Sequence, residues 1–400
     1  MNRPVLADRY HCTGCLACID VCPVGALSKR YDDDCCLTYQ VNDDACIHCG
    51  LCEKTCPSVS GYRYGDDKIK DSQLFVGWTS DAILRKKSSS GGIFAALAKV
   101  VIENGGAAVG ASLSGYTINH IVIDKVEDIC KLQGSKYAQS VTLGIYKQTR
   151  ELLKQGRTVL FSGLGCQVAG LLSFLGDKFD KSNLLTVDLV CGGVPSSFLV
   201  QQFERECKEE YPAIHYFRRK QTYEFAVEDK TGQNHVIPLS EKPLPLCGFY
   251  TELANRYSCY DCQFAYVHRK ADMTIADFWG DDKYPGQHQQ GVSAIVVHSA
   301  KGLEWVKRAE VEFHDADWRT FLTHNHRMVD GYNGNGKSEA RKNLANAIAN
   351  YDRFSFLCTY ANYATIKRPM TWVKKIWRYA KGRMQKNTHI EKINKVLSQL

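Results

Sequence analysis

The cysteines between Cys12 and Pro57 limit what this chain can become more than any other stretch. Cys12, Cys15, Cys18 and Cys22 precede Pro23, and Cys46, Cys49, Cys52 and Cys56 precede Pro57. Each half reads C-x2-C-x2-C-x3-C-P, the run in which three thiolates on one turn cap three irons of a [4Fe–4S] cube. With two such runs the fourth cysteines cross over. One cluster is therefore expected on Cys12, Cys15, Cys18 and Cys56, and a second on Cys46, Cys49, Cys52 and Cys22. The crossing knits residues 1–60 into one unit whose folding is coupled to metal binding. A disulfide framework requires a secretory context, and zinc sites favour C-x2-C pairs over runs of four.

The remainder is ordinary globular sequence. The chain has 400 residues, 44% hydrophobic and 24% charged, enough for two or three domains. Eight of its 18 cysteines belong to the two runs, so cysteine is a localised device here. The N-terminus has no apolar core with a cleavage pattern, and no apolar stretch reaches the eighteen or so residues of a membrane span. A reducing cytoplasmic setting is expected. The formal charge of +8 counts cysteine as neutral. Each oxidised cube with four thiolates carries about −2, so two or three clusters remove roughly four to six charges. With no zinc-finger, RRM or basic-zipper signature, nucleic acid is not expected as a partner.

Beyond the polar connector at 62–71, Leu74–Trp78 reads as a buried strand. Ser88-Ser-Ser-Gly-Gly then leads into an apolar helix, Ile93 to Glu103, closed at Asn104-Gly105-Gly106. Strands follow at Ala107–Leu113, His120–Ile123, Thr158–Phe161, Leu184–Val190, Ile275–Phe278 and Val292–His298. Two of these run into Gly-rich turns, the first followed by a helix over Gln167–Leu175. The pattern predicts an α/β body, a mixed sheet with flanking helices, behind a small α+β cluster domain. The divisions are 1–60, 72–150, 151–335 and a helical basic tail over 336–400.

Two constellations carry chemistry. The hydroxyls and free N–H groups of Ser89, Ser90, Gly91 and Gly92 at a helix N-terminus suit a phosphate, or form an N-cap with a flexible lead-in. Cys166 and Cys191 each follow a strand end, and Cys259 and Cys262 form a C-x2-C pair. Turns of that kind converge where α/β sheets bind ligands. These four thiols are a candidate third cluster, or else buried free cysteines that pack as small hydrophobes. The packing reading is applied to Cys35, Cys36, Cys130, Cys207, Cys247 and Cys358. No dinucleotide or P-loop fingerprint is present.

These segments resemble the family of beta subunits of deazaflavin (F420) hydrogenases and dehydrogenases. The resemblance rests on Ser-Ser-Gly-Gly before the apolar helix, Gly134-Ser-Lys-Tyr, the Gly-x-x-Cys-Gln turn and Asp188-Leu-Val-Cys-Gly-Gly. It extends to Arg256-Tyr-Ser-Cys-Tyr-Asp-Cys and Ala271-Asp-Met-Thr-Ile-Ala-Asp-Phe-Trp-Gly, covering roughly residues 1–330 with a ferredoxin-like domain in front. It implies an iron–sulfur flavoprotein in which Ser89, Ser90, Gly91 and Gly92 contact FAD phosphates. It places Ser135, Lys136 and Tyr137 near the flavin, and makes Cys166, Cys191, Cys259 and Cys262 the third [4Fe–4S] site. Asp277 either orients a substrate or caps a turn. Two positions depart from the family pattern: Leu164-Gly165 replaces Thr-Pro, and Ala276 replaces Gly.

Cubes move single electrons, whereas organic substrates usually exchange two with a proton, and a flavin converts between these modes. The expectation is an oxidoreductase whose partners are a redox protein, either ferredoxin or a catalytic subunit, and a small-molecule substrate. The alternatives are a non-catalytic electron-transfer subunit and a deazaflavin-linked enzyme. In the tail, Trp372, Val373, Ile376, Trp377 and Ala380 share one helical face with Lys374, Lys375, Arg378 and Lys381 off it. Such a helix suits an anionic membrane surface, or docks on its own domain.

Overall fold

The computed structural model describes residues 4–60, 72–218, 224–279, 284, 286–331, 342–367 and 388–400. Residues 4–60 carry one hairpin, β1 (Leu27–Tyr31) against β2 (Leu37–Val41), and two short helices, Ala17–Asp20 and Leu51–Thr55. Its core is Leu16, Ile19, Leu27 and Leu37 together with Cys18 and Cys52. Apolar packing there is thin, as expected where metal–thiolate bonds supply much of the folding energy.

The body is built on one eight-stranded mixed sheet. It contains β3 (Gln73–Thr79), β4 (Ala107–Ser114), β5 (Thr117–Ile123), β6 (Val159–Leu164) and β7 (Leu184–Leu189). A separate three-stranded antiparallel sheet follows in β8 (Ala213–Tyr216), β9 (Glu224–Glu228) and β10 (Asn234–Pro238). The large sheet is completed by β11 (Met273–Asp277), β12 (Ser293–Val297) and β13 (Val311–Asp315). Its order is β13-β3-β12-β11-β7-β6-β4-β5. Strands from both sides of residue 150 interleave, so regions 72–150 and 151–335 make a single sheet.

Four neighbours, β4, β6, β7 and β11, run parallel. Their side chains bury on both faces, which is why they read as continuous apolar runs. Leu160, Leu185 and Val187 pack on one face against the helix Ile93–Glu103. Val159, Phe161 and Leu184 pack on the other against the helices Ile145–Lys154 and Gly165–Leu175. Along β3 the alternation of Phe75 with Leu74, Val76 and Trp78 splits the same way between two cores.

The strands and the helix Ile93–Glu103 fall where the sequence places them, with ends shifted by one to three residues. The three-stranded sheet was not foreseen. Beyond residue 335 the described residues are helical at Leu344–Ala349, Tyr351–Lys367 and 388–397. Phe354 and Cys358 bury beside Leu244 and Phe198, and Ile393 buries beside Phe321 and Val329. The amphipathic segment from Trp372 to Lys381 lies outside the described residues. No helix among the described residues is long and apolar enough to cross a membrane.

Candidate functional site

Parallel strands deliver their following turns to one edge of a sheet. β6 and β7 pair in register, Leu164 opposite Leu189, so Cys166 and Cys191, each two residues further on, emerge together. Val190 N–H donates to the Ile275 carbonyl as β7 leaves the sheet beside β11. The segment with Cys259 and Cys262 reaches the same edge: Arg256 N–H donates to the Val194 carbonyl. Cys166 has Cys262, Cys191, Cys259 and Cys15 as its electrostatic neighbours.

The eight cysteines of the two runs line two separate hollows. One hollow is lined by Cys12, Cys15, Cys18 and Cys56, another by Cys22, Cys46, Cys49 and Cys52. Among the described residues no three His, Cys, Asp or Glu side chains close around a single ion. The sets surround hollows, the geometry a polynuclear cluster needs. Backbone N–H groups already point at sulfur: Ala26 at Cys22 (3.2 Å), Gly193 at Cys191 (3.3 Å) and Val194 at Cys259 (3.3 Å). Burial, then neighbouring thiols, pushes Cys15 and Cys259 up to about 12 and Cys166 well above the ordinary thiol range. Thiols crowded in so apolar a setting ionise only against strong positive charge, which iron supplies. The donor set fits clusters.

The sets form a line. Cys18 has Cys52 of the second set as a neighbour, and Cys15 sits beside Cys166. That last approach depends on Gly170 in the helix Gly165–Leu175. A Cβ there would lie 3.1 Å from Cys15 Sγ and 3.0 Å from the Tyr146 hydroxyl. Fully buried Arg256 clamps the two units, donating to the Thr13 carbonyl (2.8 Å), Gln139 Oε1 (2.8 Å) and the Leu37 carbonyl (2.6 Å). Ser258 Oγ donates to the Cys12 carbonyl and Thr142 Oγ1 to that of Cys15.

At the end of this line lies a cavity of about 310 Å³ along the carboxyl edge of the parallel strands. Its wall holds Ser89, Ser90 and Gly92, then Ser135, Lys136 and Tyr137, and on the cluster side Cys191 to Pro195. Both departures from the family pattern, at Leu164 and Ala276, line it too. Gly91 does not. Its N–H is held by Ser293 Oγ (2.9 Å), and a Cβ would meet the Gly77 carbonyl at 2.5 Å, so its role is close packing. The serines are likewise fixed: Ser89 Oγ accepts from Ser135 N–H (2.7 Å) and Ser90 Oγ donates to the Val292 carbonyl (2.8 Å).

Three wall groups ask for a polar occupant. Among the described residues Lys136 Nζ donates only to the carbonyls of Gln133 (2.8 Å) and Leu132 (3.0 Å), and burial pushes it down to about 7. Gln133 Oε1 is buried and among the described residues has no partner, an acceptor for a ligand N–H or O–H. The helix Ile93–Glu103 opens toward the same space through Gly92. A ligand with an anionic group and ring N–H donors fits this wall, and FAD has both.

Opposite, Arg218 binds Asp277 Oδ2 at 2.5 Å and donates to the Tyr137 hydroxyl at 3.0 Å. Tyr137 stacks on Phe249 with ring centroids 4.1 Å apart. Asp277 is thus an ion-pair partner at the cavity wall. His120, held by Ser140 Oγ (2.6 Å) and the Ser162 carbonyl (3.1 Å), is pushed down to about 4 by burial and lines the cavity neutral.

Arg218, His120 and Gln133 escaped the sequence reading. Arg218 follows the first strand of the unforeseen sheet, and His120 sits on a strand with no paired metal spacing to mark it. Of the cysteines read as packing residues, Cys36, Cys247 and Cys358 are buried. Cys35 and Cys207 are intermediate, whereas Cys130 is exposed and does not fit that reading.

Known proteins resemble this chain along most of its length. Residues 11–59 match the 4Fe-4S dicluster domain. Residues 74–147 match the N-terminal part, and 156–316 the C-terminal part, of the coenzyme F420 hydrogenase/dehydrogenase beta subunit. Coenzyme F420-dependent sulfite reductase of Methanocaldococcus jannaschii is 31% identical over 171 residues, 42% of this chain and 25% of that protein. One subunit of the F(420)H(2) dehydrogenase of Methanosarcina mazei is 23% identical over 245 residues, 58% of this chain and 67% of that one. A chain of the F420-reducing [NiFe] hydrogenase complex from Methanosarcina barkeri superposes with a TM-score of 0.41 at 18% identity, over 71% of this chain and 90% of that one. The chain spans a quarter of the sulfite reductase's length. With both halves of the beta subunit matched in order across a single sheet, this protein belongs to the family of coenzyme F420 hydrogenase/dehydrogenase beta subunits and carries a 4Fe-4S dicluster domain at its front.

Proposed function

We propose that this chain is an iron–sulfur flavoprotein oxidoreductase that moves electrons between three [4Fe–4S] clusters and a small hydride-exchanging molecule by way of FAD. Cys12, Cys15, Cys18 and Cys56 hold one cluster, Cys46, Cys49, Cys52 and Cys22 the second, and Cys166, Cys191, Cys259 and Cys262 the third. One observation carries the reading: three thiol quartets follow one another to a cavity whose wall includes Cys191. When bound, the flavin supplies the change from single electrons to a hydride.

The chain's own residues do the rest. Lys136 and the N-terminus of the helix Ile93–Glu103 receive the anionic part of the cofactor, with Ser89 and Ser90 fixed beside it. Gln133 Oε1 accepts from a ring N–H. Leu164, Ala276 and Tyr137 shape the space left for substrate, and Arg218 holds Asp277 and Tyr137 still. Because the relatives are named for F420, a deazaflavin is the first hydride partner to test. The likeness to one component of a multi-component dehydrogenase favours a second reading, in which a partner chain holds the substrate.

Anaerobic purification with iron, sulfide and flavin quantified is the direct test. About twelve irons and about one FAD per chain are expected, whereas roughly eight irons without flavin reduce the protein to a ferredoxin fusion. Cys259→Ser or Cys262→Ser should lower the iron content and spectrum. A variant with full iron removes the third cluster from the scheme.

A further inference from the structure

Arg256 reaches from the third thiol quartet into the turn of the first. Its main chain opens the turn that carries Cys259, whose N–H donates to the Arg256 carbonyl at 3.1 Å. Its guanidinium fills the space beside Gly14, between Cys12 and Cys15, where a Cβ would lie 3.1 Å from Cζ. The residue is 4% exposed. Among the described residues every acceptor it meets is neutral, the Thr13 and Leu37 carbonyls and Gln139 Oε1, and its buried Nε has none. The ionisable groups that weigh most on its charge are the thiols of Cys36, Cys12, Cys259 and Cys166, and the last three belong to the first and third quartets.

The other cations near thiols are placed differently. Arg269, beside Cys262, is paired with Asp188 at 3.0 Å. Arg327 donates to the carbonyls of Gly192 (3.0 Å) and Cys259 (3.4 Å), so it serves the third quartet. The described wall of the hollow with Cys22, Cys46, Cys49 and Cys52 contains no Lys or Arg. A guanidinium stays charged at any working pH, and burying one without a counter-charge is costly. Thiolate-held cubes supply that charge, about −2 each when oxidised. One added electron takes each to about −3 with no bond made or broken. A fixed positive charge nearby favours the more negative form, and a low local dielectric strengthens the effect.

We infer that Arg256 is the shared counter-charge of the first and third clusters, raising the reduction potential of both and leaving that of the second unchanged. The inference rests on the proposed three-cluster reading and adds the group that makes the two cubes at the joint easier to reduce.

Gln139→Glu is the sharpest test, because it keeps the side-chain shape and sets a carboxylate against the guanidinium. Potentiometric titration of the full-length, cluster-loaded protein, followed by EPR of the reduced clusters, reads each midpoint. Two of the three should fall, each by about tenfold or more in the one-electron equilibrium constant, or about 59 mV. The unmoved signal should be the one that Cys49→Ser alters. Arg256→Met should lower the same two, whereas Arg256→Lys, which keeps the charge, should hold every midpoint within about threefold of wild type in that constant.

Unchanged midpoints in Gln139→Glu and Arg256→Met at full iron content overturn the inference. So does an equal fall in all three clusters, or an Arg256→Lys variant that falls as far as Arg256→Met, because hydrogen bonding and not charge is then the cause. Failure of the underlying reading looks different: the wild type itself holds roughly eight irons and gives two cluster signals.

Discussion

Lys136 meets two carbonyl oxygens, and among the described residues no carboxylate offsets its burial. Its free-site value near 7 gives ligand binding a definite sign. Below pH 7 the ammonium is present and attracts an anion. Above it the anion must bind together with a proton, so affinity falls by up to about tenfold per pH unit. Equilibrium dialysis of FAD between about pH 6 and 9 should show that fall in the wild type and a weak, flat profile in Lys136→Met. A half-buried histidine outside the cavity wall sets a different pH response. His298 bridges Ser72 Oγ and Thr274 Oγ1, and burial, then Arg269, pushes it down to about 3. The unfolded imidazole takes up a proton below about 6.5 whereas the folded one does not until about 3. Stability is therefore lost as pH falls through that window, by at most about 5 kcal/mol. His298→Asn should narrow the difference between urea midpoints measured at about pH 5.5 and about pH 7.5.

At the scale of elements, two joints hold the assembly. Arg256 joins the cluster domain to the body, and Arg256→Met leaves the Thr13 and Leu37 carbonyls without that donor. Each stranded acceptor costs about 1–3 kcal/mol. Amide exchange should accelerate at residues 11–41 before it does so in the large sheet. The terminal helix at 388–397 is the other joint: Ile393 is 2% exposed, and Asp330 receives both His389 Nδ1 (3.0 Å) and Lys392 Nζ (2.7 Å). Deleting 388–400 uncovers Phe321 and Val329, and burying one aliphatic side chain is worth about 1.5–3 kcal/mol. A thermal midpoint lowered by several degrees is the expected reading by calorimetry, and an unchanged midpoint would show that this helix adds no stability.

For the whole molecule, the sequence disclosed what repeats or is spaced chemically. The doubled cysteine run, the strands that end in Gly-Cys turns and the helix Ile93–Glu103 could be read because spacing and periodicity are local properties. The three-stranded sheet could not. Its segments are short and half-polar, and they are held by Phe203, Tyr116 and Leu246 from elsewhere in the chain. Arg218 was hidden for the same reason, since its partners Asp277 and Tyr137 are 59 and 81 residues away. Gly91 packs against the Gly77 carbonyl, and a glycine that admits a neighbouring backbone looks, in sequence, like one that admits a phosphate.

The tight seat of Cys15 against Gly170, fastened by Arg256, has a kinetic corollary. Redox proteins whose carrier domain swings on a tether are slowed by thick solvent, because the swing itself is diffusive. Here the domain is bolted down, so on the proposed scheme electron passage inside the molecule owes nothing to large-scale motion. Adding glycerol should slow the encounter with an outside carrier and leave the internal transfer rate, followed after a laser-triggered single reduction, where it was. A rate that declines in step with viscosity would mean that the joint opens during turnover.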